Sequence, residues 1–395
     1  GFGGCLAHDM GLGKTPQGLA LLVALKDGER SSIVIAPRSL LFHWQDEARR
    51  FAPDLRVIAY HGVGRGEALD GLGGGSVLLT TYGTIARDVE ELRDIAFDTA
   101  VLDESQAIKN RGTQTAKAVR LIQAEHRIAV SGTPVENHLG ELYSLFEFLN
   151  PGLLGTFAAF QRVTEGDASA ERRAGLAAAL RPLLLRRTKT PVAPELPERI
   201  QNTPHCEMRE AQRTLYDGVR AHIRDQVLGA IAVGGLDQNR MQVIEALLRL
   251  RQIACHPALL DPAHIDLPTA KFEVLLPMLA EIAEQGHKAL VFSQFTSYLA
   301  LLKRQRDALG LTSEYLDGKT ADRRVPVDRF QNDPACPVFL ISLKAGGVGL
   351  NLTAASYVFL LDPWWNPAVE AQAIDRSHRI RQTRTVTAHR LINRD

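Results

Sequence analysis

Residues Asp9-Met10-Gly11-Leu12-Gly13-Lys14-Thr15 follow directly on the apolar stretch Cys5-Leu6-Ala7. A short strand entering a glycine-rich turn that opens a helix admits few folds, because such a turn needs backbone conformations that glycine adopts most easily. Backbone N–H groups in that turn can close around phosphate, a lysine at the helix start reaches the outer phosphates, and the next hydroxyl can hold Mg²⁺. The candidate nucleotide contacts are therefore Gly11, Leu12, Gly13, Lys14 and Thr15. The strict spacing G-x-x-x-x-G-K-[ST] calls for glycine where this chain has His8.

Short apolar, β-rich runs recur at 33–36, 57–60, 77–81, 100–102 and 128–130, with helical patterns at 40–51 and 113–124 between them. The theme returns at 289–292, 314–316, 338–341, 357–361 and 386–392. Continuous apolar strands separated by helices predict parallel sheets covered on both faces, hence an α/β chain with two lobes. The expected domains are a first lobe over 1–137, helical insertions over 138–267 and a second lobe over 268–395. Within the insertions, Leu139, Leu142, Leu145, Phe146 and Leu149, and again Ile244, Leu247, Leu248 and Ile253, fall at helical spacing and read as core.

At 395 residues the chain has room for two or three domains. Cys5, Cys206, Cys255 and Cys336 are scattered, with no C-x-x-C pair, so they read as reduced, buried thiols and not as a disulfide or zinc framework. No apolar run is long enough to span a bilayer. A net charge of +1 means that any nucleic-acid contact must come from local patches. The abrupt ends lead us to expect a fragment of a longer protein.

Three further clusters carry chemistry. Asp103-Glu104 ends the run at 100–102. In a parallel sheet that is where ligands sit, so Asp103 can hold Mg²⁺ while Glu104 orients and deprotonates an attacking water. Adjacent acids after a strand can also simply cap a helix. Ser131-Gly132-Thr133-Pro134 follows the next strand and reads equally as a coupling element or as a turn. Arg376 and Arg379, spaced i, i+3, share one face if their segment is helical, and either supply positive charge to a nucleotide or form a solvated basic face. Gly346-Gly347-Val348-Gly349 lacks a following Lys-Thr, so close backbone approach is the better reading. Gly347, Gly349 and Gln372 are further candidate nucleotide contacts.

The ordered set of motifs resembles the Swi/Snf-type ATPases, double-stranded-DNA translocases of helicase superfamily two. The phosphate loop is similar to their Walker A segment. Ala36-Pro37-Arg38-Ser39-Leu40-Leu41 with Trp44 and Glu47 looks like motif Ia, and Thr80-Thr81-Tyr82 like motif Ib. Asp103-Glu104-Ser105-Gln106 resembles Walker B, and Ser131-Gly132-Thr133-Pro134-Val135-Glu136-Asn137 motif III. Leu185-Arg186-Arg187-Thr188-Lys189 and Leu250-Arg251-Gln252-Ile253-Ala254-Cys255-His256-Pro257 look like family markers. Val291-Phe292-Ser293-Gln294-Phe295, Leu316-Asp317-Gly318, Ser342-Leu343-Lys344-Ala345-Gly346-Gly347 and Asp362-Pro363-Trp364-Trp365-Asn366-Pro367 complete the pattern.

The resemblance implies two RecA-like lobes and ATP hydrolysis, with Mg²⁺, driving a monomeric motor along duplex DNA. Lys14, Asp103, Glu104, Arg376 and Arg379 would be catalytic, and Thr15 and Asp103 would hold the metal. Ser39, Thr80, Lys109, Asn110, Ser342, Lys344 and Trp365 would contact DNA, although Trp364 and Trp365 taken alone read as core packing. RNA polymerase or another DNA-bound protein would be the displaced partner, in a bacterial cytoplasm at the nucleoid or in a eukaryotic nucleus. The family's adenine-reading segment would precede Gly1, and its bracing helices would follow Asp395. Departures are His8 where an acid is usual, Arg381 where glycine is usual, Ser105 for a smaller residue, and a stretch at 161–173 that predicts a shortened protrusion.

Overall fold

The computed structural model describes residues 2–394 apart from 27, 63, 133–138, 165–169, 309, 321, 347–349 and 381; at 233–234, 236–237, 308 and 346 it describes the backbone alone. It divides into two compact units, Gly1–Glu195 and Leu196–Asp395.

The first unit holds β1 (Gly4–Leu6), β2 (Ser32–Ala36), β3 (Val57–Tyr60), β4 (Val77–Thr81), β5 (Ala96–Asp103), β6 (Gln123–Val130) and β7 (Leu184–Leu185). They form one sheet in the order β3-β4-β2-β5-β6-β1-β7, with every pairing parallel. All residues of β2 and β4 are buried, as expected for strands covered on both faces. Phe97, Phe146, Phe148 and Val119 fill one side of the sheet. Register decides where the loops meet. Asp103 pairs with Val130, and Val130 with Leu6, so β5, β6 and β1 end level with one another.

The second unit holds β8 (Arg199–Asn202), β9 (His205–Glu207), β10 (Ala289–Ser293), β11 (Ser313–Leu316), β12 (Val338–Ser342), β13 (Tyr357–Leu360), β14 (Val386–Arg390) and β15 (Ile392–Arg394). Six of these make a parallel sheet ordered β11-β12-β10-β13-β14-β8, and β15 pairs with β9 apart from it. The α/β class with two parallel-sheet lobes is the one the apolar runs predict. Four buried free cysteines match the expectation for the thiols, and burial pushes Cys5 and Cys255 up to about 12. No helix among the described residues is long and apolar enough to cross a membrane.

Several expectations need correction. The run at 386–392 is two strands in two sheets, split at the buried Leu391. The stretch expected to be helical contributes β7, β8 and β9. β8 is exposed along its whole length and carries no apolar signal, so only its pairing with β14 makes it a strand. The helix expected over 113–124 runs Gln114–Leu121, capped by the Thr113 hydroxyl, and residues 123–124 belong to β6. Helix Gly140–Leu149 buries Leu142, Leu145, Phe146 and Leu149 as predicted, but Leu139 just before it is exposed; helix Arg240–Cys255 buries Ile253 and leaves Ile244, Leu247 and Leu248 exposed. The stretch 161–173, expected to be a shortened protrusion, holds the end of a helix Phe157–Thr164 and the start of a helix Ala170–Leu180.

Phe339 is fully buried against Phe330, with ring centroids 5.2 Å apart. Phe339→Ala should therefore destabilise the second unit by about 3–5 kcal/mol, read as a lowered urea midpoint. A change within error would show that this sheet face is not packed as described.

Candidate active site

β1 ends at Leu6, and the chain turns through Gly11 (φ 88°) and Gly13 (φ 69°) before helix α1 (Lys14–Ala24) begins. Both angles lie in the left-handed region, which explains glycine at these two positions. Gly13 is the helix N-cap and makes no side-chain cap. Pro16 falls in the first turn, where its missing N–H has no intrahelical partner to lose. The Lys14 ammonium is held inside the loop, Nζ donating to His8 O at 3.0 Å and Asp9 O at 3.2 Å. Gln17 Nε2 closes the turn by donating to Leu12 O at 3.0 Å. A helix N-terminus with paired left-handed glycines and a centred ammonium fits a phosphate chain. Thr15, beside Lys14 in the first turn, is half-buried.

Asp103 ends β5 and is buried, yet every part of it is engaged. Its Oδ2 accepts from Trp44 Nε1 at 2.8 Å, its Oδ1 from Glu104 N at 2.9 Å, and its carbonyl from the Tyr82 hydroxyl at 2.7 Å. Trp44 belongs to helix α2 (Leu41–Phe51). On its other side the indole abuts α1: a Cβ on Gly18 would lie 3.0 Å from Trp44 Cη2. Burial, and then the charge of Glu104, pushes the Asp103 carboxyl well above the usual range, while Trp44 pulls it back down.

Glu104 is the sole non-glycine with positive φ among the described residues (φ 49°, ψ 56°). That conformation costs of the order of 1–3 kcal/mol and persists where the surroundings enforce it. Here the enforcement is a side-chain chain of hydrogen bonds. Gln106 Nε2 donates to Glu104 Oε2 at 2.7 Å, and the Ser131 hydroxyl donates to Gln106 Oε1 at 3.0 Å. Ser131 N in turn donates to Leu6 O at 3.1 Å. Gly132 then faces the phosphate loop, where an added Cβ would lie 3.7 Å from Lys14 Nζ. The structure thus brings Lys14, Asp103, Glu104 and Ser131 together at one sheet edge. Thr133 to Asn137 lie outside the described residues. In the sequence Gln106, Trp44 and Tyr82 stand only as parts of motifs; Gln106 is a polar residue close to the acid pair, and nothing in the sequence links Trp44 or Tyr82 to Asp103.

The second unit places its candidates differently. The helix Pro367–Ile374 ends before Arg376, so Arg376 and Arg379 do not share a helical face. Arg376 is fully buried in the turn that follows, and Arg379 Nη1 donates to Leu350 O at 3.2 Å. Gln372 is buried on that helix. Gly347, Gly349 and Arg381 lie outside the described residues. Asp362 accepts from Gln294 N at 3.1 Å, and Glu370 accepts from Trp364 N at 2.7 Å. The Arg251 guanidinium lies 5.2 Å from the Trp364 ring centre and 5.3 Å from that of Trp365. Trp365 is 65% exposed, so it is not core packing.

Of the proposed DNA contacts, Ser39 is half-buried just after β2, Lys109 is half-buried, and Asn110 and Lys344 are exposed. Thr80 and Ser342 lie inside: Thr80 donates to Tyr60 O at 2.8 Å, and Ser342 Oγ accepts from Ala345 N at 3.2 Å. Both sit in fully buried strands, where a hydroxyl must find a backbone partner.

Fold and site together define an α/β protein with a phosphate-binding loop and an acid pair at the same sheet edge. Residues 1–259 match the SNF2-related domain, and residues 270–381 match the helicase conserved C-terminal domain. The chain belongs to the SNF2-related family. YwqA of Bacillus subtilis, assigned by name to the ATP-dependent helicases and translocases, is 39% identical over 99% of this chain and 44% of its own length. Mouse chromodomain-helicase-DNA-binding protein 1-like is 33% identical over 99% of this chain and 45% of its own length. The chain spans less than half the length of either relative. A solved Sulfolobus solfataricus SWI2/SNF2 ATPase core in complex with double-stranded DNA is 33% identical, covering the whole of this chain and 84% of that one, with a TM-score of 0.49.

Two predictions follow the acid pair. Trp44→Phe removes the indole donor, so the Asp103 carboxyl should titrate still higher, read by carbon-detected NMR of the metal-free protein. Because this carboxyl is raised on folding, its ionisation opposes stability as pH climbs from about 4 toward neutrality, more steeply in the variant. An Asp103 titration that stays put or falls contradicts the bond. Ser105, beside the pair, has a buried hydroxyl with no hydrogen-bond partner among the described residues. Ser105→Ala should raise the unfolding free energy by about 1 kcal/mol in urea titrations, and a loss would show the hydroxyl to be satisfied.

Proposed function

We propose that this chain is the motor core of an ATP-driven translocase on double-stranded DNA that displaces or remodels DNA-bound proteins. The observation that carries the reading is the hydrogen-bonded path from Glu104 through Gln106 to Ser131, beside the loop that holds Lys14. It ties the hydrolytic acid to the element adjoining the phosphate loop. Lys14 neutralises the outer phosphates. Glu104, whose Oε2 accepts from the Gln106 amide, orients the attacking water and takes its proton. Thr15 and Asp103 are the residues that would hold Mg²⁺, which neutralises phosphate charge when bound. Among the described residues no cluster of three or more His, Cys, Asp or Glu is arranged as a metal site, in keeping with an ion held largely by phosphate oxygens and water. Gly11, Leu12 and Gly13 supply backbone to the phosphates, and Arg376 and Arg379 are assigned to stabilising charge as it shifts during transfer.

Duplex DNA as the track is supported by family membership and by relatives named as a helicase/translocase and a DNA-binding protein. Ser39, Lys109, Asn110, Lys344 and Trp365 are the proposed contacts. Hydroxyls, amides and cations address phosphates and not base edges, which suits tracking that ignores sequence. A strand-separating motor on the same core is the competing reading, favoured by the word helicase in those names. RNA polymerase or another DNA-bound protein is the proposed target, in a bacterial cytoplasm at the nucleoid, and the domain scheme of two lobes joined by helical insertions over 138–267 is proposed with it.

The test is ATP turnover with duplex, single-stranded and no DNA. Duplex should stimulate it most, with no unwinding of a forked substrate. Lys14→Ala and Glu104→Gln should each lower turnover by about 10²–10⁴-fold. Turnover by Lys14→Ala equal to that of the parent overturns the motor, and efficient fork unwinding shifts the reading to the helicase.

A further inference from the structure

The phosphate loop is gripped on its flank by a segment that plays no part in the mechanism above. Beyond the short β1–β7 pairing, the ladder continues: Ala7 N donates to Leu185 O at 2.9 Å, and Asp9 N to Arg187 O at 3.0 Å. The return bonds come from side chains. Arg187 N donates to His8 Nδ1 at 3.1 Å, and Lys189 N to Asp9 Oδ2 at 3.1 Å. For Lys189 the reason is visible in the loop, because its ladder acceptor would be Asp9 O, which accepts from Lys14 Nζ. At Arg187 the ladder register would offer Ala7 O, and the His8 imidazole stands as acceptor there.

Only a neutral imidazole accepts at Nδ1. His8 is 5% exposed. The groups facing it are Lys14 and Gln17 of α1, Arg187 of the flanking segment and Asp9 of the loop itself; burial first, then Lys14 and Arg187, hold its titration below the usual range, while Asp9 and the Gln17 hydrogen bond act the other way. Protonation would turn Nδ1 into a donor aimed at the Arg187 N–H and add a positive charge beside Lys14.

We propose that His8 is a positioning residue: as a neutral acceptor it latches the phosphate loop to the 184–189 segment, and the latch makes nucleotide binding by this chain acid-sensitive. The proposal rests on the loop being the nucleotide site. The sign follows from the depressed titration. The neutral form is the one the fold holds, so the latch is complete above about pH 6.5 and is lost as pH falls through the lower folded-state value.

His8→Asn keeps an uncharged acceptor oxygen near Nδ1 and cannot titrate. Binding of fluorescent ADP is measured for the parent, His8→Asn and His8→Ala at about pH 7.5 and about pH 5.5. The nucleotide's own protonation is common to all, so the difference in slope is the readout. The expected result is an acid loss of affinity about two- to tenfold larger in the parent than in His8→Asn, smaller the lower the folded-state titration lies. At neutral pH, His8→Asn should bind like the parent and His8→Ala like the acidified parent. An acid loss equal in parent and His8→Asn overturns the latch, as does a His8→Ala protein that keeps the parent's neutral affinity. If His8→Ala does not fold, the parent and His8→Asn decide. Undiminished binding by Lys14→Ala would instead overturn the nucleotide site itself.

Discussion

The candidate active site depends on one constraint, the register that brings β1, β5 and β6 to the same level. Parallel strands cannot be joined by tight turns, so residues far apart in sequence reach a shared edge only through pairing. Leu6, Asp103 and Val130 lie across from one another, and each is followed at once by a functional segment. A slip of one residue would turn alternate side chains to the opposite face and uncouple the three. The Asp103 carboxylate then locks the arrangement with bonds from Trp44 and from the Glu104 backbone. A buried carboxylate without such donors would be costly, so the donors are a condition of its being there.

What was legible in the sequence follows the same physics. Strands buried on both faces must be apolar along their length, so β2, β4, β10, β12 and β13 stand out as runs. The glycine-rich loop is legible because Gly11 and Gly13 need left-handed backbone. Strands owed to pairing alone were not legible: β7 has two residues, and β8 is exposed throughout. The arginine pair illustrates a different failure. Spacing suggested a shared face, yet the helix stops at Ile374, and one arginine is fully buried while the other is half-exposed.

The motifs name residues that lie together in the structure, but carry no trace of the hydrogen bonds between them. Trp44 meets Asp103 across 59 positions of sequence, and Ser131 meets Gln106 across 25. Those partnerships are products of tertiary structure, invisible to spacing. They also change what the motifs mean. Gln106 donates through its amide N–H and accepts through its amide oxygen, so the path from Ser131 to Glu104 has one hydrogen-bond direction. That direction ends on Glu104 Oε2 as the acceptor.

The mismatch to the strict phosphate-loop spacing resolves on the same terms. Glycine is demanded where the backbone must be left-handed, and among the described residues with a side chain only Glu104 has positive φ. His8 therefore occupies a backbone that any residue can adopt, and the pattern's first glycine is dispensable in this loop. What the position does require is set by Lys14. The ammonium takes the carbonyls of His8 and Asp9, and the flanking N–H groups of Arg187 and Lys189 find their acceptors in the side chains of His8 and Asp9. Asp9 meets one of these needs with a charge. His8 meets the other without one, next to a lysine whose positive charge the loop has to keep for phosphate.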